Sequence, residues 1–207
     1  TIIAFCTDHK LRTLSNYYIF NLAITDSVIG FICVPFYTVY ALMNFHWPFG
    51  RAFCKFYNLL DYIVCAESSL TILCISVDRL LMVKLSPGVY SHKVTKRRTI
   101  VVIVTTWIFT ILLYGPAIIG FDVWRGYSIV APYDCSVEFT DSFSFTIAAS
   151  VFEFFIPGIL IALMNFLLYL DIRRRSRNFQ NLRRDSKAAK NLSILVATFF
   201  LCWTPYT

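Results

Sequence analysis

Five apolar stretches constrain what this chain can fold into. They cover Asn16–Met43, Phe53–Met82, Arg98–Phe121, Asp141–Leu170 and the residues from Ala189 to the end. Each is long enough to cross the roughly 30 Å hydrocarbon core of a bilayer as a tilted helix. With 57% hydrophobic and 15% charged residues, the chain is too apolar for a soluble domain of 207 residues. The pattern therefore predicts an all-α, multi-pass membrane protein.

Both ends of the sequence fall inside apolar segments. Thr1–Cys6 is too short to cross a membrane, so we interpret it as the end of an earlier helix. The last stretch stops at Cys202-Trp203-Thr204-Pro205-Tyr206-Thr207. We expect residues 1–207 to form a single, incomplete bundle domain that is truncated at both ends.

The basic residues predict the orientation of this bundle. Of the 19 Lys and Arg residues, 16 lie in the segments Lys10–Arg12, Arg79–Arg98 and Arg173–Lys190. Loops rich in Lys and Arg remain on the cytoplasmic side, so these three segments are predicted to be cytoplasmic. The net charge of +7 is then a topology signal. We expect contacts with the lipid bilayer and its anionic headgroups, and no nucleic-acid partner.

Asp61 is an acid within an otherwise apolar stretch. An ionised carboxylate inside a membrane costs at least a few kcal/mol, and such residues usually face a wet cavity and have a partner or ligand. Cys65 and Ser68 follow at helical spacing on the same face. Asp78-Arg79 ends this stretch, roughly 26 Å away at about 1.5 Å per residue. The spacing predicts a cation site that one helix joins to a cytoplasmic switch.

Three further acids lie within the predicted spans. Asp26 is expected to be a second buried acid, and Glu153 lies one turn before Pro157 and needs a partner in or near lipid. Glu67 lies about 240° around the helix from Asp61, so it cannot line the same cavity wall. It is either protonated or paired with a neighbouring helix, and the sequence leaves both alternatives open.

Cysteines, prolines and loop acids add local predictions. Cys54 begins the second full span and Cys135 lies in the long loop before the fourth, both on the predicted extracellular, oxidising side, which predicts a disulfide between them. Pro35 is expected to kink its helix, and Pro116 is expected to mark the end of the third full span. The loop from Asp122 to Asp141 is acidic overall. Its carboxylates either attract a cationic ligand or are ordinary solvated charges.

An ordered set of motifs extends along nearly the whole chain. The set comprises Asn21-Leu22-Ala23-Ile24-Thr25-Asp26, Cys54, Asp61-Tyr62, Asp78-Arg79, Trp107, Cys135, Pro157 and Cys202-Trp203-Thr204-Pro205-Tyr206. In order and spacing it resembles the rhodopsin-like G-protein-coupled receptors. The resemblance implies a seven-transmembrane helix bundle in the plasma membrane. The chain would extend from the end of helix one to the middle of helix six, without helix seven.

The resemblance also implies a ligand. Asp61 is similar to the ammonium counter-ion of receptors for biogenic amines or acetylcholine. Glu153 resembles a glutamate of the third and fourth histamine receptor subtypes, thought to hold the imidazole of histamine. The binding residues implied are Asp61, Tyr62, Cys65, Glu153, Trp203 and Tyr206. Histamine is the favoured ligand, and acetylcholine or another monoamine is the alternative, because Asp61 would serve any ammonium group.

In the family this sequence resembles, ligand binding is coupled to a heterotrimeric G protein. Asp78 and Arg79 resemble a cytoplasmic latch that is paired in the inactive state and released when the helix with Trp203 and Pro205 moves outward. Pro157 is implied as part of the same switch. Leu80 departs from the usual aromatic residue after Arg79. An inhibitory G protein is the partner favoured by the resemblance.

Asp26 resembles the aspartate of the family's sodium site, and Ser68 is its expected neighbour. An allosteric sodium ion is therefore the one ion expected, and no other cofactor is. An enzyme is not expected, because no nucleophile and base occur together in the spans and His9, His46 and His92 all lie in loops. A transporter is the remote alternative, although no internal repeat is visible.

Overall fold

The computed structural model describes residues 1–8, 13–141, 143–151 and 155–176, and these residues contain helices and no strand. A π-helical turn, Ile29–Cys33, lies between α2 and α3, and a 3-10 turn, Glu138–Asp141, lies before α7. The α-helices are α1 (Ile2–Thr7), α2 (Leu14–Val28), α3 (Val34–Leu42), α4 (Arg51–Lys84), α5 (Pro87–Lys93), α6 (Lys96–Arg125), α7 (Phe143–Ser150) and α8 (Ile156–Ser176).

Three of the predicted spans are confirmed as helices long and apolar enough to cross a membrane. They are Leu14–Leu42, Arg51–Lys84 and Lys96–Arg125. The fourth predicted span is represented by α7 and by the shorter apolar helix Ile156–Asp171. The fifth, from Ala189 onward, lies outside the described residues.

The two prolines behave differently. Pro35 lies just after the π-helical turn. Because proline has no backbone N–H, it cannot donate to the carbonyl oxygen of Phe31, four residues earlier, and Phe31 lies within that turn. The predicted end of a helix at Pro116 is wrong, because α6 continues through it to Arg125. A proline removes one backbone hydrogen bond, and the turn that follows is stabilised by packing, since Ala117 and Ile118 are buried in the hydrophobic core.

The central helix of the described bundle is α4, which packs against α2, α6 and α8. Three hydrophobic clusters follow one another along it, and their residues are buried. Near its first turns lie Cys33, Trp47, Cys54, Tyr57 and Val64. At the level of Asp61 lie Ile63, Ala66, Tyr114, Ala117, Ile118, Val137 and Phe139. At its predicted cytoplasmic end lie Tyr18, Ile75, Leu80 and Leu168.

Candidate functional site

Asp61 lies half-buried in the predicted extracellular half of α4, and its closest partners are two thiols. The Cys65 thiol, one turn further along α4, is 4.0 Å from Asp61 Oδ1. The Cys33 thiol reaches the same carboxylate from the neighbouring span. Among the described residues, no Lys, Arg or His forms an ion pair with Asp61. The carboxylate therefore has acceptor capacity for a cationic ligand.

Cys33 is a contact of Asp61 that the sequence analysis missed. It is the last residue of the π-helical turn before Pro35, and it is buried. The Tyr57 hydroxyl of α4 donates to the Cys33 carbonyl oxygen at 3.3 Å. A π-helical turn rotates the residues that follow it relative to a regular helix. Pro35 was the only signal in the sequence that pointed to this position.

An aromatic group lies beside Asp61 and includes one residue of the extracellular loop. The Tyr62 ring is 5.4 Å from the Tyr114 ring of α6 and 5.6 Å from the Phe139 ring, centroid to centroid. Phe139 is only 2% exposed, so the loop descends into the bundle. Tyr62 is predicted to line the site. Tyr114 and Phe139 were missed, because nothing local marks a loop phenylalanine as buried.

The predicted disulfide between Cys54 and Cys135 is confirmed, with their Cα atoms 5.5 Å apart. Two ion pairs flank it on the first turns of α4, from Arg51 to Glu138 and from Lys55 to Asp122. Positions 51, 54 and 55 share one face of a helix. We call Arg51, Cys54 and Lys55 the extracellular anchor, because they attach the end of α6 and the loop that follows it to α4 at three points.

Asp122, Asp134 and Glu138 have local partners. Glu138, 3% exposed, contacts Arg51 and accepts a hydrogen bond from the Ser128 hydroxyl at 2.6 Å. Asp134 accepts a hydrogen bond from the Tyr40 hydroxyl, which holds the pKa of that carboxyl below its usual range. Together with the pair between Lys55 and Asp122, these contacts show that the carboxylates stabilise the loop.

Asp78 lies at the cytoplasmic end of α4 and is buried. It accepts a hydrogen bond from the Ser15 hydroxyl of α2 at 2.6 Å and one from the Tyr90 hydroxyl of α5 at 2.8 Å. In the described chain, Asp78 forms no ion pair with Arg79. Adjacent helical residues point about 100° apart, so Asp78 faces α2 and α5 without facing its neighbour's guanidinium. The role of both residues in a switch stays a prediction.

The structure places Ser68 against the residue before Asp26. The Ser68 hydroxyl donates to Thr25 Oγ1 at 2.8 Å. The burial predicted for Asp26 is wrong for the described chain. Thr25 is the residue that faces α4. The Asp26 side chain points about 100° further around α2 and is exposed. The described residues contain no group of three or more His, Cys, Asp or Glu that could hold a metal ion.

Several predicted site residues cannot be placed. Glu153, Trp203, Pro205 and Tyr206 lie outside the described residues.

Pro157 is buried in the first turn of α8. Glu67 is fully buried, and it contacts Asn21 on α2 and Thr106 on α6. The predicted pairing of Glu67 with neighbouring helices is thus present, although neither partner is charged.

Comparisons with known proteins cover nearly the whole chain. The family described as "7 transmembrane receptor (rhodopsin family)" matches residues 1–207. The muscarinic acetylcholine receptor M3 of Sus scrofa is 28% identical over 189 residues, which are 91% of this chain and 32% of that protein. The muscarinic acetylcholine receptor M5 of Rattus norvegicus is 28% identical over 210 residues, which are 99% of this chain and 39% of that protein. The chain spans about a third of the length of these curated relatives.

Proposed function

The chain belongs to the rhodopsin family of seven-transmembrane receptors, and on this premise we propose that it carries the binding site of a receptor for a small cationic amine. The family is one of receptors and not of enzymes. Its members are multi-pass proteins of the plasma membrane, and so is this chain.

The observation that carries the proposal is the environment of Asp61. It is an acid inside a membrane span, with thiol neighbours and no cationic partner among the described residues. A ligand ammonium group would form a charge-assisted hydrogen bond with it. Tyr62 provides an aromatic wall, and a cation over such a ring gains roughly 0.5–2 kcal/mol.

Histamine is the favoured ligand because of a second acid, Glu153. Histamine has a protonated amine at one end and an imidazole at the other, and two carboxylates on facing helices would each accept one hydrogen bond. Acetylcholine is the second candidate, because the relatives named above are muscarinic acetylcholine receptors. Acetylcholine has no donor for Glu153, so this residue distinguishes the two ligands.

We propose that ligand binding is coupled to a heterotrimeric G protein, with the inhibitory class favoured by resemblance alone. Arg79 would contact the G protein after the helix with Trp203 and Pro205 moves outward. We further propose an allosteric sodium ion near Asp26 and Ser68. Its test is amine affinity measured with and without sodium, and an affinity that is insensitive to sodium contradicts it.

Radioligand binding to the receptor tests the amine site. Asp61→Ala should weaken every amine by about 2–5 kcal/mol, roughly 30-fold to several thousand-fold, because it removes the charged partner of the ammonium group. The isosteric control Asp61→Asn should lose nearly as much if charge is the cause. Amine affinity within a factor of two of wild type in both variants contradicts the proposal.

A second pair of measurements selects the ligand. Glu153→Gln should weaken histamine at least ten-fold and leave acetylcholine unchanged, because only histamine has a donor for the carboxylate. Equal histamine affinity in the wild type and in Glu153→Gln removes histamine as the ligand. Binding of acetylcholine that depends on Asp61 and not on Glu153 then establishes the second candidate.

A further inference from the structure

Glu67 is an acid that the proposed amine site does not use. It lies on α4, about 240° around the helix from Asp61, where α2 and α6 meet α4. Its side chain is 0% exposed. Burial of an acid at a junction of three apolar helices needs a specific compensation.

The polar neighbours of Glu67 come from all three helices and carry no charge. Asn21 of α2 donates to Glu67 Oε1 at 3.0 Å and to Thr71 of α4 at 2.8 Å, which uses both amide protons. The Asn21 carbonyl oxygen accepts from the Trp107 ring nitrogen at 3.0 Å. No cationic group of the described chain pairs with the carboxyl.

The Thr106 hydroxyl lies between two oxygen atoms, and its single proton bears on the state of the acid. Thr106 Oγ1 is 2.7 Å from the Ile103 carbonyl oxygen and 2.8 Å from Glu67 Oε1. A hydroxyl group has one proton and donates to one acceptor, and a carbonyl oxygen can only accept. If the threonine proton binds the Ile103 carbonyl, the contact with Glu67 needs a second proton, and a protonated carboxyl supplies it.

The second carboxyl oxygen supports the same assignment. Glu67 Oε2 is buried and has no hydrogen-bond partner among the described residues. In a carboxylate this oxygen would hold part of a full negative charge in an apolar environment, which is far more costly than a neutral carbonyl oxygen in the same place.

We propose that Glu67 is a proton-binding site within the bundle. The neutral carboxyl group donates from Oε1 to Thr106 Oγ1 and accepts from Asn21, so that one bound proton completes the contacts that join α2, α4 and α6. The ligand of this site is a proton, and the helix it stabilises carries both Asp61 and Asp78. The assignment is independent of which amine the receptor binds.

Infrared difference spectroscopy of the purified receptor tests this assignment. The spectrum of the wild type minus that of Glu67→Gln should contain the carbonyl band of a protonated carboxyl group. Glu138→Gln is the matched control, because Glu138 is paired with Arg51 and should contribute carboxylate bands instead. Carboxylate bands in the Glu67→Gln difference spectrum would overturn the proposal.

A second variant keeps the test decisive if Glu67→Gln does not fold. Thr106→Val removes the acceptor of the Glu67 proton and should shift the carboxyl band. An unshifted band in that variant also overturns the proposal. As a stability readout, Glu67→Leu should lower the apparent Tm by about 2–4 °C or more, because Asn21 and Thr106 lose a partner. Glu67→Gln, a neutral group of the same shape, should lower it less.

Discussion

The two ends of α4 are stabilised in different ways. At the extracellular end, the anchor formed by Arg51, Cys54 and Lys55 combines a covalent bond with two ion pairs. At the predicted cytoplasmic end, the described partners of Asp78 are the hydroxyl groups of Ser15 and Tyr90. The one ion pair described there joins Lys84 to Asp171 at 3.8 Å, and it is weak because the Lys84 side chain is half exposed. The comparison suggests a helix that is fixed beside the proposed ligand and released at modest cost where a G protein would bind.

Removal of the disulfide is the largest test of this comparison. The double variant Cys54→Ser with Cys135→Ser should lose roughly 2–5 kcal/mol of stability, because the bond links positions 81 residues apart. Thermal unfolding of the receptor in detergent measures the change. Cys6→Ser, at an exposed thiol, is the control and should have almost no effect. An unchanged Tm in the double variant would mean that the two ion pairs alone fix the extracellular end.

Loss of the hydrogen bond from Tyr90 to Asp78, at the predicted cytoplasmic end of α4, should have a smaller effect. Burial raises the pKa of Tyr90 to about 12, so its hydroxyl remains a donor at neutral pH. Tyr90→Phe should weaken the hold on Asp78 by about 1 kcal/mol and raise basal G-protein activation several-fold. Nucleotide exchange on the G protein without ligand measures this.

The control for Tyr90→Phe lies at the extracellular end. Tyr133→Phe removes a hydroxyl from an exposed ring stacked on His46 and should leave basal exchange unchanged. Amine affinity should change little in either variant. If Tyr90→Phe lowers basal exchange, the contact with Asp78 favours the active state, and the cytoplasmic half of the comparison is wrong.

The smallest effect concerns Asp134 and Tyr40 at the edge of the loop. The hydrogen bond from Tyr40 lowers the pKa of Asp134 in the folded protein. The stability that this carboxylate contributes is therefore fully present above the unfolded-state pKa of about 3.9. It is lost as the pH falls through the lower folded-state pKa. Tyr40→Phe should cost a few tenths of a kcal/mol to about 1 kcal/mol at neutral pH. In thermal unfolding across pH, the difference from wild type should narrow below about pH 4. A difference that widens in acid contradicts the assignment.

Some features of this site could be predicted from the sequence, and others could not. The spans, the extracellular disulfide and the membrane acid Asp61 follow from hydropathy, the distribution of cations and cysteine position. The contacts of Cys33 and Phe139 were not accessible, since one depends on a π-helical turn and the other on a loop that descends between α4 and α6. The continuation of α6 past Pro116 was predicted wrongly, because packing outweighs a local breaker.

The sequence by itself predicted which segments enter the membrane and which loops are cytoplasmic, and it determined which helix carries an acid at each level. These features depend on transfer free energies and helical period, which are local properties. The tertiary structure decided what each acid meets, with Asp61 beside two thiols, Glu67 beside an amide and a hydroxyl, and Asp78 beside two hydroxyls. Neighbouring side chains on a helix point about 100° apart. The partners of each acid therefore depend on how its helix is rotated about its axis, and the packing of all the surrounding helices sets that rotation.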